Sequence, residues 1–443
     1  MKSIAITDGE SLKPNRLIYL TFPYIFIILL SLKTIYSRYV AFGFVLIFIT
    51  AFILANKELL IKKKYFFLFW FLIAYTLIGV LYGNPVQIVK NVNMFILSLA
   101  PFFIFDWVFS PTRINKRKQN AVFLLKVMIP ILLYTIVATL YHLLSNPYIA
   151  RDMANFDSSR GIDGSMGINI DLPTAIGGGY VLVYGVILLP PVFLLLAKSF
   201  FIKPLARIFS LGIALFLLYF IIKSGFATAF IISVGGCILT FLLLKKQKLI
   251  SRMIITLSVF WMSLIFMNEQ LLSGIIGSVT KLLPYDSIIA VRLKEIIPAI
   301  YGLNMDSSFS TRLHGLEKSW NAFTENLFLG VGYKVGFDYI SVAALTGQHT
   351  EWLDLMAQYG LFLGVPLFLF IGVTFNELIK LFKGTVLESV MKLVVIMTFI
   401  VGFLNPIINT SIFIIILLFI PSFFTVVLEK QSPKEYEQYG NLN

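Results

Sequence analysis

Apolar runs of about 20 residues, separated by short charged breaks, recur along the whole chain, and that length lets an α-helix cross a hydrocarbon layer about 30 Å thick. Inside such a layer every backbone N–H and C=O must be satisfied within the protein, so a chain built this way folds as a helix bundle. About twelve runs can be read, beginning near Leu17, Tyr39, Tyr65, Val92, Ala121, Pro173, Ile208, Phe226, Met253, Ala357, Val390 and Ile407. Only 13% of the 443 residues are charged, against about 25% in soluble domains, which excludes an ordinary soluble enzyme. The run from Leu17 to Leu32 has no small-residue cleavage site behind it and reads as an uncleaved first span. A single cysteine, Cys237, rules out an intramolecular disulfide and a cysteine-based zinc site.

Charge sets the expected orientation. Lys57, Lys62, Lys63 and Lys64, then Arg113, Lys116, Arg117 and Lys118, and later Lys245, Lys246, Lys248 and Arg252 fall in alternate connections, so the positive-inside rule puts these loops and both termini in the cytoplasm. The net charge of +14 therefore records insertion topology, and charges scattered over short loops do not make a nucleic-acid surface. The expected fold class is an all-α polytopic membrane protein with about 12 transmembrane helices and a large, partly helical periplasmic loop between helices 9 and 10. In residue terms, spans 1 to 9 fill 1–267 with a smaller outer loop at 145–172, the large loop is 268–356, spans 10 to 12 fill 357–429, and 430–443 is a cytoplasmic tail. A segment as long as 268–356 is functional or disordered. Trp320, Trp352 and the helical spacing of Leu313, Leu316, Trp320 and Phe323 between Thr311 and Asn326 predict that it is folded.

Chemistry is expected on the outer side, where loops mix Arg, His, Asp, Glu and aromatics, while inner loops are short and basic. Of three histidines, His142, His314 and His349, the last has the most informative surroundings: Thr350, Glu351, Trp352 and Asp354 follow it, with Gly360 at the start of a span. A helix from Thr350 puts Asp354 on the face of Thr350 and leaves Trp352 to anchor at headgroup level. A neutral His349 at that depth can take a proton from a sugar hydroxyl; an interfacial imidazole can equally be a structural hydrogen-bonding group. Among outer cations, Arg151, Arg160, Arg292 and Arg312 carry the planar fork that grips phosphate bidentately, and Arg312 opens the predicted loop helix, although an outer arginine can also be a plain surface residue. The outer loops hold no Asp-x-Asp pair for a divalent metal, and neither a Walker A sequence nor a dinucleotide fingerprint occurs, so neither metal nor cofactor is expected.

The stretch Arg312, Trp320, Glu325-Asn326-Leu327-Phe328-Leu329-Gly330-Val331-Gly332-Tyr333, followed by His349, Gly360 and Gly364, resembles the O-antigen polymerase and O-antigen ligase superfamily, closely over about 60 residues and in layout elsewhere. The resemblance implies a bacterial inner-membrane glycosyltransferase that performs a metal-independent, inverting transfer from an undecaprenyl-diphosphate-linked oligosaccharide at the periplasmic face. It makes His349 the base on the acceptor hydroxyl and Arg312 the holder of the pyrophosphate; beside them, Arg292, Arg160 and Arg151 are the further candidate phosphate ligands and Glu351, Asp354 and Gly360 the candidate supporting residues. Where many members carry Ser-Arg between spans seven and eight, this chain has Lys223-Ser224-Gly225, so Lys223 takes that cation's role from a shifted position. Thr350 stands where ligases carry Asn, Ser or Gln, and Arg151 to Gly161 and Arg292 to Gly302 have a polymerase-like spacing. Both features favour a polymerase of O-antigen or capsular repeat units, working with a flippase and a chain-length regulator, over a ligase that moves glycan to lipid A core. A flippase for the same lipid-linked oligosaccharide fits less well, because intramembrane charge marks a transport path and only Asp106 and Lys126 stand out within the runs.

Overall fold

A computed structural model of the chain describes residues 62–83, 85–109, 114–145, 180–198, 204–243, 269–282, 290–291, 293–294, 308–348, 350–385, 387–407 and 412–428. All regular structure among them is helical. The apolar runs become α1 (Lys63–Tyr82), α2 (Pro85–Phe109), α3 (Ile114–Ser145), α4 (Tyr180–Val186), α5 (Leu189–Lys198), α6 (Pro204–Lys223) and α7 (Ala227–Leu243). The segment expected to form the large loop contributes α8 (Glu269–Leu282), α9 (Ser308–Glu325), a 3-10 turn (Gly332–Val335) and α10 (Tyr339–Leu345). Then come α11 (Glu351–Leu381), α12 (Leu387–Leu404), α13 (Ile412–Ile414), a π-helical stretch (Ile415–Phe419) and α14 (Ile420–Leu428).

Five of these segments, Lys63–Tyr82, Arg117–Leu144, Pro204–Lys223, Glu351–Leu381 and Leu387–Leu404, are long and apolar enough to cross a membrane. Helices also lie on the runs beginning near Val92, Pro173, Phe226 and Ile407, the second of these runs divided by a turn at Ile187 and Leu188. The runs beginning near Leu17, Tyr39 and Met253 lie outside the described residues.

The bundle is organised around α1, which runs antiparallel to α2 and α11. At one end the Lys64 ammonium, fully buried, donates to Asp106 at 2.7 Å and to Glu377 at 2.5 Å, while the Tyr65 hydroxyl donates to the second Asp106 oxygen at 2.6 Å and Lys62 reaches the first at 3.1 Å. The two lysines and two carboxylates sum to no net charge, and the pairing repays part of the cost of taking them out of water. At the other end Gly79 passes against Ile88 and Gly83 against the backbone of Gly336, so α1 reaches the segment that follows α9. Between the ends the seam is aromatic: Tyr75 packs with Phe337 (4.7 Å between ring centroids) and Tyr359 (5.8 Å), and Phe71 packs with Phe95 (5.1 Å). Such tilted and edge-on pairs favour both burial and ring electrostatics. The bundle thus has a charged end, beside Lys380 and Lys383, and a cap end formed by α9, the 3-10 turn, α10 and the start of α11.

Although α11 counts 31 residues, it is not one rod. Gly360 breaks it with φ +60° and ψ −167°, backbone angles open to glycine and strained for other residues. Met356 closes over Gly364, and the Trp352 ring lies 5.5 Å from that of Phe368. These pairs are symmetric about Gly360, so residues 351–359 fold back along the arm that follows. Residues 361–381, about 31 Å at 1.5 Å per residue, are long enough to span by themselves. The break falls three residues after Ala357, where a span was expected to begin.

Candidate functional site at the cap end

The break in α11 is filled by the segment whose sequence carries the family resemblance. Residues 326–331 leave α9 and lay their backbone into the gap: Leu361 N–H donates to Leu327 O at 2.8 Å, Phe362 N–H to Phe328 O at 2.9 Å, and Val331 N–H to Ala357 O at 2.8 Å. The first turn of the second arm has no intrahelical acceptors for its N–H groups, and the carbonyls of Leu327 and Phe328 supply them. The approach requires glycine on both sides. A methyl on Gly330, itself at φ +69°, would strike the backbone of Gln358 and Gly360, and one on Gly360 would strike Phe328 and Gly330. We call this pairing the latch.

Beside the latch, α9 lies against Gly347 and the residues that lead into α11. The face it offers is made of small residues one or two turns apart, Gly315, Ser319 and Ala322, all buried. The backbones of Gly315 and Gly347 are in contact, with no room for a side chain on Gly347. Ser319 bridges the two elements, accepting from Gly347 N–H at 2.7 Å and donating to Asp354. The other Asp354 oxygen accepts from Thr350 N–H at 2.9 Å, and the N–H groups of Gln348 and Gly347 also point at this carboxylate. Asp354 therefore holds the turn from inside, in the manner of a capping-box acid in the first turn of a helix. Gln348, at φ +58°, gives the turn its sharp direction.

His349 itself, together with Arg151, Arg160 and Arg292, lies outside the described residues. What the structure does describe is the pair of residues that flank His349, Gln348 and Thr350, and both are fixed by Asp354. Arg312 sits on α9 one turn before Gly315, the residue that touches Gly347. Lys223 ends α6 with its ammonium 5.7 Å from the Tyr219 ring. Leu293, next in sequence to Arg292, packs in a small cluster with Ile276 of α8 and with Ile222 and Ala227, which flank the α6–α7 turn. That turn carries Lys223. Glu351 accepts from Ile407 N–H at 2.6 Å, tying the start of α11 to the segment after α12.

One expectation for this region is corrected. Trp352 is not an interfacial anchor: it is 3% exposed, donates its indole N–H to Phe399 O at 2.8 Å, and fills the space beside Gly402. On the face of α9 that meets this turn the side chains are small, while Trp320 is 54% exposed. Large side chains would hold the helices apart, and the Gly315–Gly347 contact needs small ones. Ser319 was invisible to a search for apolar periodicity; the spacing of small residues at 315, 319 and 322 was the available signal.

Along α9 runs a groove of about 370 Å³. His314, Glu317, Lys318, Asn321, Glu325 and Lys334 line it, with His314 Nδ1 3.7 Å from Glu317. The Thr350 hydroxyl, at the inner edge of the turn, is buried without a partner among the described residues. No group of three or more His, Cys, Asp and Glu side chains among the described residues could hold a metal ion. The chain matches no known protein-family model and no curated protein.

Proposed function

We propose that this chain is an O-antigen-polymerase-type glycosyltransferase of the bacterial inner membrane, with about twelve spans, both termini in the cytoplasm and the cap end in the periplasm. Its substrate is an undecaprenyl-diphosphate-linked oligosaccharide repeat unit. The acceptor hydroxyl oxygen attacks the anomeric carbon of the donor sugar, the bond from that carbon to the diphosphate oxygen breaks, and the lipid diphosphate leaves with the electron pair. The hydroxyl proton passes to His349. Arg312, with Arg292, Arg160, Arg151 and Lys223 as the wider cationic set, stabilises the charge that grows on the leaving group. Such a step requires positioning and charge stabilisation, with no covalent enzyme intermediate.

The observation that supports this reading most is the clamp around residue 349. Asp354 draws the N–H groups on both sides of it toward one carboxylate, and Ser319 fastens that carboxylate to the helix bearing Arg312. A general base has to be held within hydrogen-bond reach of the proton it takes, and a turn fixed on both flanks meets that demand. The charges at the opposite end, buried Lys64 and Asp106 with half-buried Glu377, are paired through Lys64, which suits a structural knot better than a transport path.

Deleting the gene and examining the surface glycan tests the reading. A single repeat unit on the lipid A core is the expected result. Full-length chains stranded on undecaprenyl diphosphate would identify a ligase, and lipid-linked repeats accumulating on the cytoplasmic leaflet would identify a flippase.

A further inference from the structure

We infer that residues 327–330, in the middle of what reads as an extramembrane segment, lie inside the lipid bilayer as a wedge whose outward side chains meet acyl chains. The depth follows from α1. Its 20 residues make about 30 Å of helix, matching the hydrocarbon thickness, with Lys62 and Lys64 at one end and Gly83 at the other. Trp70 lies near the middle of α1 and is 43% exposed, among the exposed Phe66, Ile73 and Leu77 that form its lipid-facing stripe. The ring of Phe362 lies 5.5 Å from that of Trp70, so Phe362 is well within the hydrocarbon. Its N–H is the one bonded to Phe328 O. The turn of the latch must then share that depth.

What the turn presents there fits lipid. Phe328 is 71% exposed and Leu327 39%, and they continue the exposed apolar surface of Phe362, Val365 and Leu369 on α11 and of Trp70 on α1. Residues 327–332 carry no charge; Glu325 and Lys334 mark where the polar chain resumes. Non-helical backbone at membrane depth is tolerated only when its polar groups are satisfied by protein. Here the carbonyls of Leu327 and Phe328 are taken by the second arm of α11, Val331 N–H by Ala357, and Gly330 N–H by Asn326 O at 2.8 Å. Trp320, exposed on α9 and 6.0 Å from Phe323, then falls toward the headgroup level that tryptophan favours. His314, Glu317, Lys318 and Asn321 line the groove along that helix and face water.

Spin labels report this depth in the full-length protein, reconstituted in vesicles of phosphatidylethanolamine and phosphatidylglycerol with Cys237→Ala removing the native thiol. Labels are placed singly through Phe328→Cys, through Ile73→Cys as the lipid-facing reference and through Lys318→Cys as the aqueous one, and collisions with oxygen and with a water-soluble nickel chelate are compared. The expected ratio of oxygen to nickel collisions at 328 equals that at 73 and exceeds that at 318. A ratio at 328 equal to that at 318 would overturn the inference. A second measurement needs no substitution: the wild-type protein is cross-linked to lipids carrying a photoreactive group mid-chain, and the modified peptides are mapped. Adducts on Leu327 or Phe328 alongside those on α1 are expected, and adducts on α1 with none on this turn would also overturn it.

Discussion

Asp354 is the side chain on which the cap-end site turns. Changing it to Ala removes the acceptor of Thr350 N–H and of the neighbouring N–H groups and leaves Ser319 without its partner. An orphaned donor in such a site costs about 1–3 kcal/mol, so Asp354→Ala should lower the thermal midpoint in detergent by several degrees, whereas Asp354→Asn, which keeps one acceptor oxygen, should lose less. Equal midpoints for the two would mean that the carboxylate does not hold the turn. Arg312→Lys keeps the charge and loses the planar fork; glycan chain extension should fall while protein level stays normal, and wild-type extension would remove Arg312 from the phosphate site. The position of Asp354 on the face of Thr350 was legible from a spacing of four. Ser319 was not, because a hydroxyl that serves as a bridge has no periodicity of its own.

At the scale of elements, the latch and the break in α11 form one device. Gly360→Ala places a side chain at φ +60° against Phe328 and Gly330, and Gly330→Ala does the same at φ +69° against Gln358. Holding a residue with a side chain at such a sparsely populated backbone conformation costs about 1–3 kcal/mol. Each change should sharply reduce the monodisperse fraction on size-exclusion chromatography, and the double change should cost less than the sum, since both break the same contact. Gly372 supplies the contrast: it lies in the helical second arm with open space around it, and Gly372→Ala should be neutral or raise the midpoint through helix propensity. The helices themselves were legible: a helix expected over 311–326 is Ser308–Glu325, and one expected from Thr350 begins at Glu351. The fold-back at Gly360 was not, because one apolar run reads alike whether it is straight or bent in two.

Across the whole molecule, the knot at the charged end joins α11 to the consecutive helices α1 and α2. Lys64→Met leaves Asp106, 2% exposed, with only Lys62 and Tyr65, and removing one partner from a buried pair costs about 3–5 kcal/mol. The lower end is expected here because those two remain. The loss should change little with added salt, since burial shields the pair from screening, and Lys64→Met combined with Asp106→Asn should recover part of the midpoint. Asp106 stood out in the sequence as a charge within an apolar run, yet the network around it did not: its partner Lys64 also reaches Glu377, 313 positions further on, and nothing local couples the two. The helical, membrane-type architecture was plain from composition and run length, because lipid admits so few alternatives. The placement of α9 on the turn before α11 depended on contacts between single backbones, which pattern does not encode.

The most direct test of the account is reconstitution: purified protein in lipid vesicles, supplied with one defined undecaprenyl-diphosphate-linked repeat unit and no metal or nucleotide, with products resolved by length. A ladder of extended lipid-linked chains from the wild type, absent with His349→Ala protein that elutes and melts normally, is the predicted result. A ladder of equal length from His349→Ala, or none from folded wild-type protein, would contradict it.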